Sequence, residues 1–192
     1  MISSLSRAVA IAGLIAAGLG CSPAIDGAAA PAAPQRSATL PALPTIEIAA
    51  VGDMIFGNTP NLPPDPKHYL DPVDHAITTG AQIVFANLEG TLTTVSQSKC
   101  PARSSDCFAF RNPPHYARYF AADGFTVLND ANNHSHDFGS AGQAQTVRSI
   151  HSAGMVQTGL PGEITLVSAE GHKVALVAFA PYDYAASLLD LD

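Results

Sequence analysis

The sequence predicts an α/β protein whose sheet is largely parallel. Short runs rich in Val, Ile, Leu and Phe alternate with stretches of helical pattern, in the order strand, helix, strand, helix, strand, helix, strand and hairpin. Such alternation is typical of layered folds in which a helix connects two parallel strands. Each of the first three strands leads into polar residues, and ligands bind outside the carboxyl ends of parallel strands.

Length and charge narrow the class of protein. The chain has 192 residues, of which 47% are hydrophobic, and this is enough for one domain of ordinary size. The 16 acidic residues outnumber the 9 basic ones, and the formal net charge is −7. No basic patch occurs, which argues against nucleic acid as a partner. An acidic protein can still bind an anionic substrate when metal ions supply the positive charge.

Residues 1–20 have the pattern of a lipoprotein signal peptide. Arg7 precedes an apolar segment at 8–19 that is too short to cross a bilayer as a helix. A small residue then precedes Cys21, which predicts that Cys21 becomes the lipidated N-terminus of the mature protein. The alternative is an ordinary secretory signal cleaved near Ala30. Both interpretations export the protein, and the first anchors it to the bacterial cell envelope.

The remaining chain divides into a tether and a domain. Residues 21–44 are rich in Ala, Pro, Ser and Gly, a composition typical of an extended tether. The folded domain is expected at 45–192, and it contains no internal repeat. The sequence ends shortly after a further apolar segment begins. We therefore expect residues 45–192 to be the N-terminal part of a domain that is truncated at its C-terminus.

The predicted elements of this domain are short. Strands are expected at 46–51, 82–86, 125–128 and 155–158, helices at 71–80, 113–122 and 142–153, and a hairpin at 164–168 and 173–179. The polar stretch 91–112 is expected to be a loop. In an exported protein its Cys100 and Cys107 are expected to form a disulfide. Two free thiols are the alternative, and a zinc site is disfavoured because no other suitable Cys or His is near in the sequence.

Polar segments follow the first three predicted strands, and they lie at 52–53, 87–90 and 132–137. Because the carboxyl ends of parallel strands meet at one edge of a sheet, we expect Asp53, Glu89 and His134 to surround a common cation. Carboxylate, amide and imidazole groups are ligands of divalent metals. The pattern therefore predicts metal-assisted hydrolysis, in which the ion polarises an oxygen and activates a bound water.

Each segment also has a simpler interpretation. Gly52-Asp53 and the segment around Glu89 can be turns that carry a solvated carboxylate. Asp137 is expected to cap the following helix rather than to bind metal. His136 ranks below His134, because alternate side chains of an extended backbone point apart.

Six short segments occur in a specific order: 51–57 (VGDMIFG), 86–90 (ANLEG), 110–114 (FRNPP), 131–139 (ANNHSHDFG), 153–154 and 158–159. In this order they resemble the poly-γ-glutamate capsule synthesis protein family, CapA, over about residues 45–192. The resemblance implies a fold similar to the calcineurin-like metallophosphoesterases, which have two β-sheets between layers of helices. This chain would hold part of that sandwich, with a mixed but mostly parallel sheet.

The resemblance also implies roles for individual residues. Asp53 matches the first metal-ligand Asp of that superfamily, and Glu89 or Asn87 matches the position that bridges two metals. Asn133 and His134 match its Asn-His motif, in which the Asn binds metal and the His stabilises the transition state.

Two features depart from the superfamily pattern. Ile55 stands where the superfamily has a His, and the later His-bearing motifs are absent, so a complete two-metal site is not expected from these residues alone. Arg111, with Asn87, is expected to contact an anionic substrate such as a polyglutamate carboxylate. An ordinary surface salt bridge is the alternative for Arg111.

Two functions of different classes follow from these patterns. One is a cell-envelope hydrolase that acts on a phosphoester or a polymer with a divalent metal. The other is a non-catalytic envelope component that helps to synthesise or export an anionic capsule polymer such as poly-γ-glutamate, together with capsule-synthesis membrane proteins. An inactive fragment is a third possibility, since half of a sandwich leaves apolar sheet surface exposed.

Overall fold

The computed structural model describes residues 44–102 and 104–189. The predicted signal peptide, the lipidation site Cys21 and almost all of the predicted tether lie outside these described residues. Within the described part of the chain, no helix is both long enough and apolar enough to cross a membrane.

Eight strands and three α-helices form the described fold. The strands are β1 (Ile48–Met54), β2 (Ile83–Leu88), β3 (Thr91–Leu92), β4 (Arg111–Asn112), β5 (Val127–Asn129), β6 (Val156–Thr158), β7 (Thr165–Ala169) and β8 (His172–Leu176). The helices are α1 (Asp74–Thr78), α2 (Ala117–Ala122) and α3 (Gly139–Ser152), with short 3-10 turns at Pro66–His68 and Pro114–Tyr116.

The central sheet has four strands in the order β1-β2-β5-β6, and every neighbouring pair is parallel. The prediction of an α/β fold with a largely parallel sheet is therefore confirmed. The connections from β1 to β2, from β2 to β5 and from β5 to β6 each contain helix, as parallel crossovers require. All four strands consequently direct their carboxyl ends to the same edge of the sheet.

The two middle strands are the most deeply buried. Ile83, Val84, Val127 and Leu128 are each at most 2% exposed. A middle strand of a parallel sheet is covered on both faces, which explains why the sequence here is a continuous apolar run. Aromatic side chains complete the main core, and Phe120 packs edge-on against a neighbouring ring at 4.6 Å between centroids.

Several bounds differ from the predicted ones. β1 continues through Asp53 to Met54, because these two residues pair with Asn87 and Leu88 of β2. The first helix is shorter than predicted, and the helix predicted at 113–122 divides into the 3-10 turn and α2. α3 begins at Gly139, earlier than the predicted residue 142.

The predicted loop at 91–112 contains two short strands that pair in parallel, β3 and β4. The predicted hairpin is present as the antiparallel pair β7 and β8, which forms a separate two-stranded sheet. Its turn has Glu170 at φ 48° and Gly171 at φ 78°. Two consecutive positive φ angles are typical of the tight turn that matches the twist of a hairpin.

Candidate functional site

A row of polar residues crosses the carboxyl edge of the central sheet. Asp53 of β1 pairs with Asn87 of β2, which pairs with Asn129 of β5, which pairs with Thr158 of β6. A β-bulge lies between Ala50 and Asp53. A bulge inserts an extra residue into one strand and redirects the side chains after it, so Asp53 comes to lie beside Asn87.

Asn87 connects the two carboxylates of this edge. Its Nδ2 donates to Asp53 Oδ1 at 2.8 Å and to Glu89 Oε2 at 2.7 Å. Its Oδ1 accepts hydrogen bonds from Asn129 Nδ2 at 2.7 Å and from Asn132 Nδ2 at 3.0 Å. These four contacts fix the orientation of the amide, with its NH₂ group between two acidic side chains.

Glu89 in turn faces His134. Glu89 Oε1 lies 3.6 Å from His134 Nε2, and the two side chains are only 12% and 11% exposed. The structure therefore brings Asp53, Asn87, Glu89 and His134 into one cluster, which we call the edge cluster. Gly90 follows Glu89 and turns the chain with a φ of 147°, an angle that favours glycine. A Cβ at this position would lie 2.9 Å from the Phe110 side chain, so the absence of a side chain also allows the two segments to lie close together.

Asp137 holds the other side of the His134 ring. Asp137 Oδ2 lies 2.9 Å from His134 Nδ1 and also accepts the backbone N–H of Phe110 at 2.6 Å. Lys99 Nζ lies 2.6 Å from Asp137 Oδ1. Since an ionised carboxylate can only accept, Nδ1 carries a proton in this arrangement and Nε2 is the nitrogen that faces Glu89.

Asp137 is a site residue that the sequence reasoning assigned to a different role. It was expected to cap the following helix, but Phe138 is the N-cap residue of α3 and no side chain caps that helix end. Asp137 is instead fully buried against His134. The spacing of His134 and Asp137 across one turn was the available signal.

The Asn-Asn pair before His134 also differs from the expectation. Asn133, the predicted metal ligand, is exposed, and its backbone oxygen accepts a hydrogen bond from Lys99 Nζ at 2.9 Å. Asn132 is 8% exposed and accepts the backbone N–H of His134 at 2.9 Å. The reason is the turn at 132–137, which points consecutive side chains in different directions and places Asn132 against Asn87 of the edge cluster.

Arg111 contacts two residues outside the edge cluster. Its Nη1 donates to the Val95 carbonyl at 2.7 Å, and its guanidinium carbon lies 5.3 Å from the centroid of the Phe138 ring. Among the described residues it has no acidic partner, so the alternative salt bridge is not formed there, and the contact with a substrate stays a prediction. His136 stacks on Tyr184 at 4.6 Å and does not join the edge cluster.

A disulfide connects Cys100 and Cys107, with 5.5 Å between their Cα atoms. It closes the loop between Lys99 and Phe110, the two residues that contact Asp137 from outside its own turn. Lys99 also donates its backbone N–H to the Asp137 carbonyl at 2.7 Å. Lys99 at one end of this loop and Phe110 at the other therefore both contact Asp137.

The edge cluster has the donor types of a divalent-metal site, namely two carboxylates, amide oxygens and an imidazole. Within the described residues, however, no three His, Cys, Asp or Glu side chains lie close enough together to count as a metal-binding group. The amide NH₂ of Asn87 occupies the space between the carboxylates of Asp53 and Glu89. That space is where the two negative charges would favour a cation, and in this structure the amide donates to both carboxylates there.

Fold and site together define an α/β protein with an acid, amide and imidazole cluster at the carboxyl edge of a parallel sheet. The family model of the bacterial capsule synthesis protein PGA_cap matches residues 47–187. The chain therefore belongs to the bacterial capsule synthesis protein family, and the resemblance inferred from the motifs is confirmed. Comparison with curated proteins gave no match.

Proposed function

We propose that the edge cluster is a metal-dependent hydrolytic site of the metallophosphoesterase type in this capsule synthesis protein. Its substrate would be a phosphoester or an anionic capsule polymer such as poly-γ-glutamate. The observation that carries the proposal is the placement of Asp53 and Glu89 on one amide, with Glu89 also facing His134. These side chains come from three different strand ends, at the edge where α/β proteins bind their ligands.

Asp53 and Glu89 would hold the divalent cation, with an amide oxygen as a further ligand. When bound, the cation would polarise a phosphoryl or carbonyl oxygen and lower the pKa of a bound water. Asn133 remains a predicted ligand, although Asn132 has the better position because it already contacts Asn87.

His134 would move a proton at Nε2. The contact of its Nδ1 with Asp137 fixes the tautomer and the ring orientation, and a fixed imidazole is an effective general acid or base. Phe110 covers the ring, with 4.5 Å between the ring centroids. This cover limits water access to the imidazole, which strengthens its interaction with charge that develops in the reaction.

The experiment measures manganese binding and hydrolysis in the same preparations. Calorimetry gives metal affinity, and a generic phosphodiester and poly-γ-glutamate serve as substrates. We expect Asp53→Ala and Glu89→Ala to weaken metal binding strongly, and His134→Ala to retain metal but lose about 100-fold or more in rate. Asp65→Ala, an exposed carboxylate elsewhere in the chain, is the matched control. Unchanged metal content and rate in all three site variants would discard the proposal.

A non-catalytic role in polymer synthesis or export is the second candidate. It is favoured by the hydrogen bonds with which Asn87 already satisfies both acidic side chains. The two candidates separate in a cell that lacks the native gene. If His134→Ala restores capsule as well as the unchanged protein does, the role is non-catalytic.

A further inference from the structure

A polar groove, separate from the edge cluster, lies between the start of α2, with the 3-10 turn before it, and the C-terminal half of α3. Its volume is about 550 Å³, within the range of small-molecule sites. Its polar lining consists of His115, Arg118, Gln145, Arg148, Ser149 and Ser152, and no carboxylate lines it. None of these residues belongs to the edge cluster, so the groove requires a separate explanation.

The charge in this groove is opposite to that of the protein. The chain has a formal net charge of −7 and only 9 basic residues, yet two arginines face one groove. Both are exposed, and neither forms an ion pair or hydrogen bond with any residue in the described part of the chain. Lys99, by contrast, has an acidic partner, and Arg111 donates to a carbonyl. Two like charges that face one groove without a counter-ion repel each other.

The neutral side chains of the groove add hydrogen-bond donors. Gln145 Oε1 already accepts from Thr93 Oγ1 at 2.6 Å and from the Thr94 N–H at 3.0 Å. Its NH₂ group makes no contact within the described residues and remains a donor. Ser152 adds a hydroxyl with no partner in the same part of the chain. Donors and positive charge without a carboxylate are the pattern of an anion site.

We propose that this groove binds a ligand with two oxyanion groups, which Arg118 and Arg148 hold. A guanidinium presents its N–H groups in a planar fork that matches carboxylate and phosphate alike. Two guanidinium groups that face one groove favour a ligand with two carboxylate or phosphate groups over a single small anion. The proposal goes beyond the hydrolytic site, because it concerns different residues and requires no metal.

Calorimetry on the full chain tests this with two probes, a tetraglutamate peptide and inorganic pyrophosphate. The double variant Arg118→Gln/Arg148→Gln should lose about tenfold or more in affinity for whichever probe binds. The control is Lys67→Gln/Lys173→Gln, which changes the net charge equally at exposed positions outside the groove and should bind as the unchanged protein does. Binding of the peptide alone indicates a carboxylate ligand, and binding of pyrophosphate alone a phosphate ligand.

Three results would overturn the proposal: no binding of either probe at millimolar concentration, equal affinity in the groove variant, or an equal loss in the control variant. Circular dichroism of both variants verifies their folding, and Arg118→Lys/Arg148→Lys should retain part of the affinity. Because the groove requires no metal, probe binding should be the same with and without EDTA. The failure of the groove and the failure of the hydrolytic site are thereby distinguishable.

Discussion

Asp137 shows how much one buried side chain contributes to the site. It is fully buried, and it contacts His134, the Phe110 N–H and Lys99. A buried carboxylate needs such partners, because an unpaired charge away from water is costly. The same contacts that stabilise Asp137 therefore orient the imidazole of His134.

Asp137→Asn should lower both stability and activity. The asparagine amide has one oxygen that can accept from the His134 Nδ1–H and the Phe110 N–H. Its uncharged NH₂ group leaves Lys99 without a counter-charge. We expect the free energy of unfolding to fall by about 1–3 kcal/mol, since hydrogen bonds to charged groups contribute about this much. Urea unfolding measures the change, with Asp106→Asn, an exposed substitution in the nearby loop, as the control. Equal stability of the two variants would contradict the contacts described for Asp137.

Asp123 is also a buried carboxylate, but unlike Asp137 it destabilises the fold at neutral pH. It lies at the C-terminal end of α2, is 7% exposed, and its Oδ2 has no partner among the described residues. The pKa of this carboxyl is raised from 3.8 to about 6, mainly by burial and then by the nearby charges of Asp71 and Asp74, while His68 opposes the rise. The negative end of the helix dipole also disfavours a carboxylate there.

The sign of the pH effect follows from this raised pKa. The protonated carboxyl favours the folded state fully below about pH 4, and the advantage is lost as the pH rises through about 6. Asp123→Asn should therefore stabilise the protein at pH 7 by about 1–3 kcal/mol and have a much smaller effect at pH 4. Urea unfolding at pH 4, 5 and 7 measures this, with Asp65→Asn as control. A gain of equal size at every pH would contradict the raised pKa.

Sequence reasoning at this scale succeeded where backbone order determines position. Asp53, Glu89 and His134 follow successive strands, and parallel strands bring such residues to one edge whatever the details. It could not show that Asn132 would contact Asn87, or that Asp137 would contact His134, because the direction of a side chain in a turn depends on local dihedral angles. Those angles are set by contacts from Lys99 and Phe110, which are distant in the sequence.

At the scale of elements, the loop between β3 and β4 connects the disulfide to the site. Within it, Lys99 and Phe110 contact Asp137, and the Cys100–Cys107 bridge restrains the chain between these two residues. A bridge of this kind restricts the unfolded chain. In the folded chain it helps to keep Lys99 and Phe110 in position beside Asp137.

Cys100→Ser/Cys107→Ser should therefore loosen the site as well as the loop. For a closed loop this short we expect a loss of about 2 kcal/mol in the free energy of unfolding. Hydrogen exchange should speed up at the N–H groups of Lys99 and Phe110, and a reductant should reproduce the effect in the unchanged protein only. If exchange at these two amides stays the same in the double variant, the loop does not hold Asp137 as described.

The elements themselves were predicted well and their ends less so. Alternating strand and helix patterns identified the parallel order, but β1 continues past its predicted end because its last residues pair with β2. The bulge that accompanies this extension depends on the partner strand, and no pattern within β1 reveals it. The pairing of β3 with β4 was missed for the same reason, since each has only two residues.

At the scale of the whole molecule, the proposed location depends on Cys21 outside the described residues. Cys21→Ala should shift the protein from the membrane fraction to the soluble exported fraction of the bacterium, because the lipid would be its only proposed anchor. Immunoblots of the two fractions measure this, with Ser22→Ala as the neighbouring control. Retention of Cys21→Ala in the membrane fraction would refute lipidation and leave the ordinary secretory signal as the alternative.

Anomalous diffraction from crystals soaked in manganese shows whether the polar edge of the sheet binds a cation. We predict a peak within bonding distance of carboxylate oxygens of both Asp53 and Glu89, with the Asn87 amide turned away from its present position between them. The peak should disappear in Asp53→Ala crystals. No peak at this edge, with Asn87 still donating to both carboxylates at saturating manganese, would contradict the account.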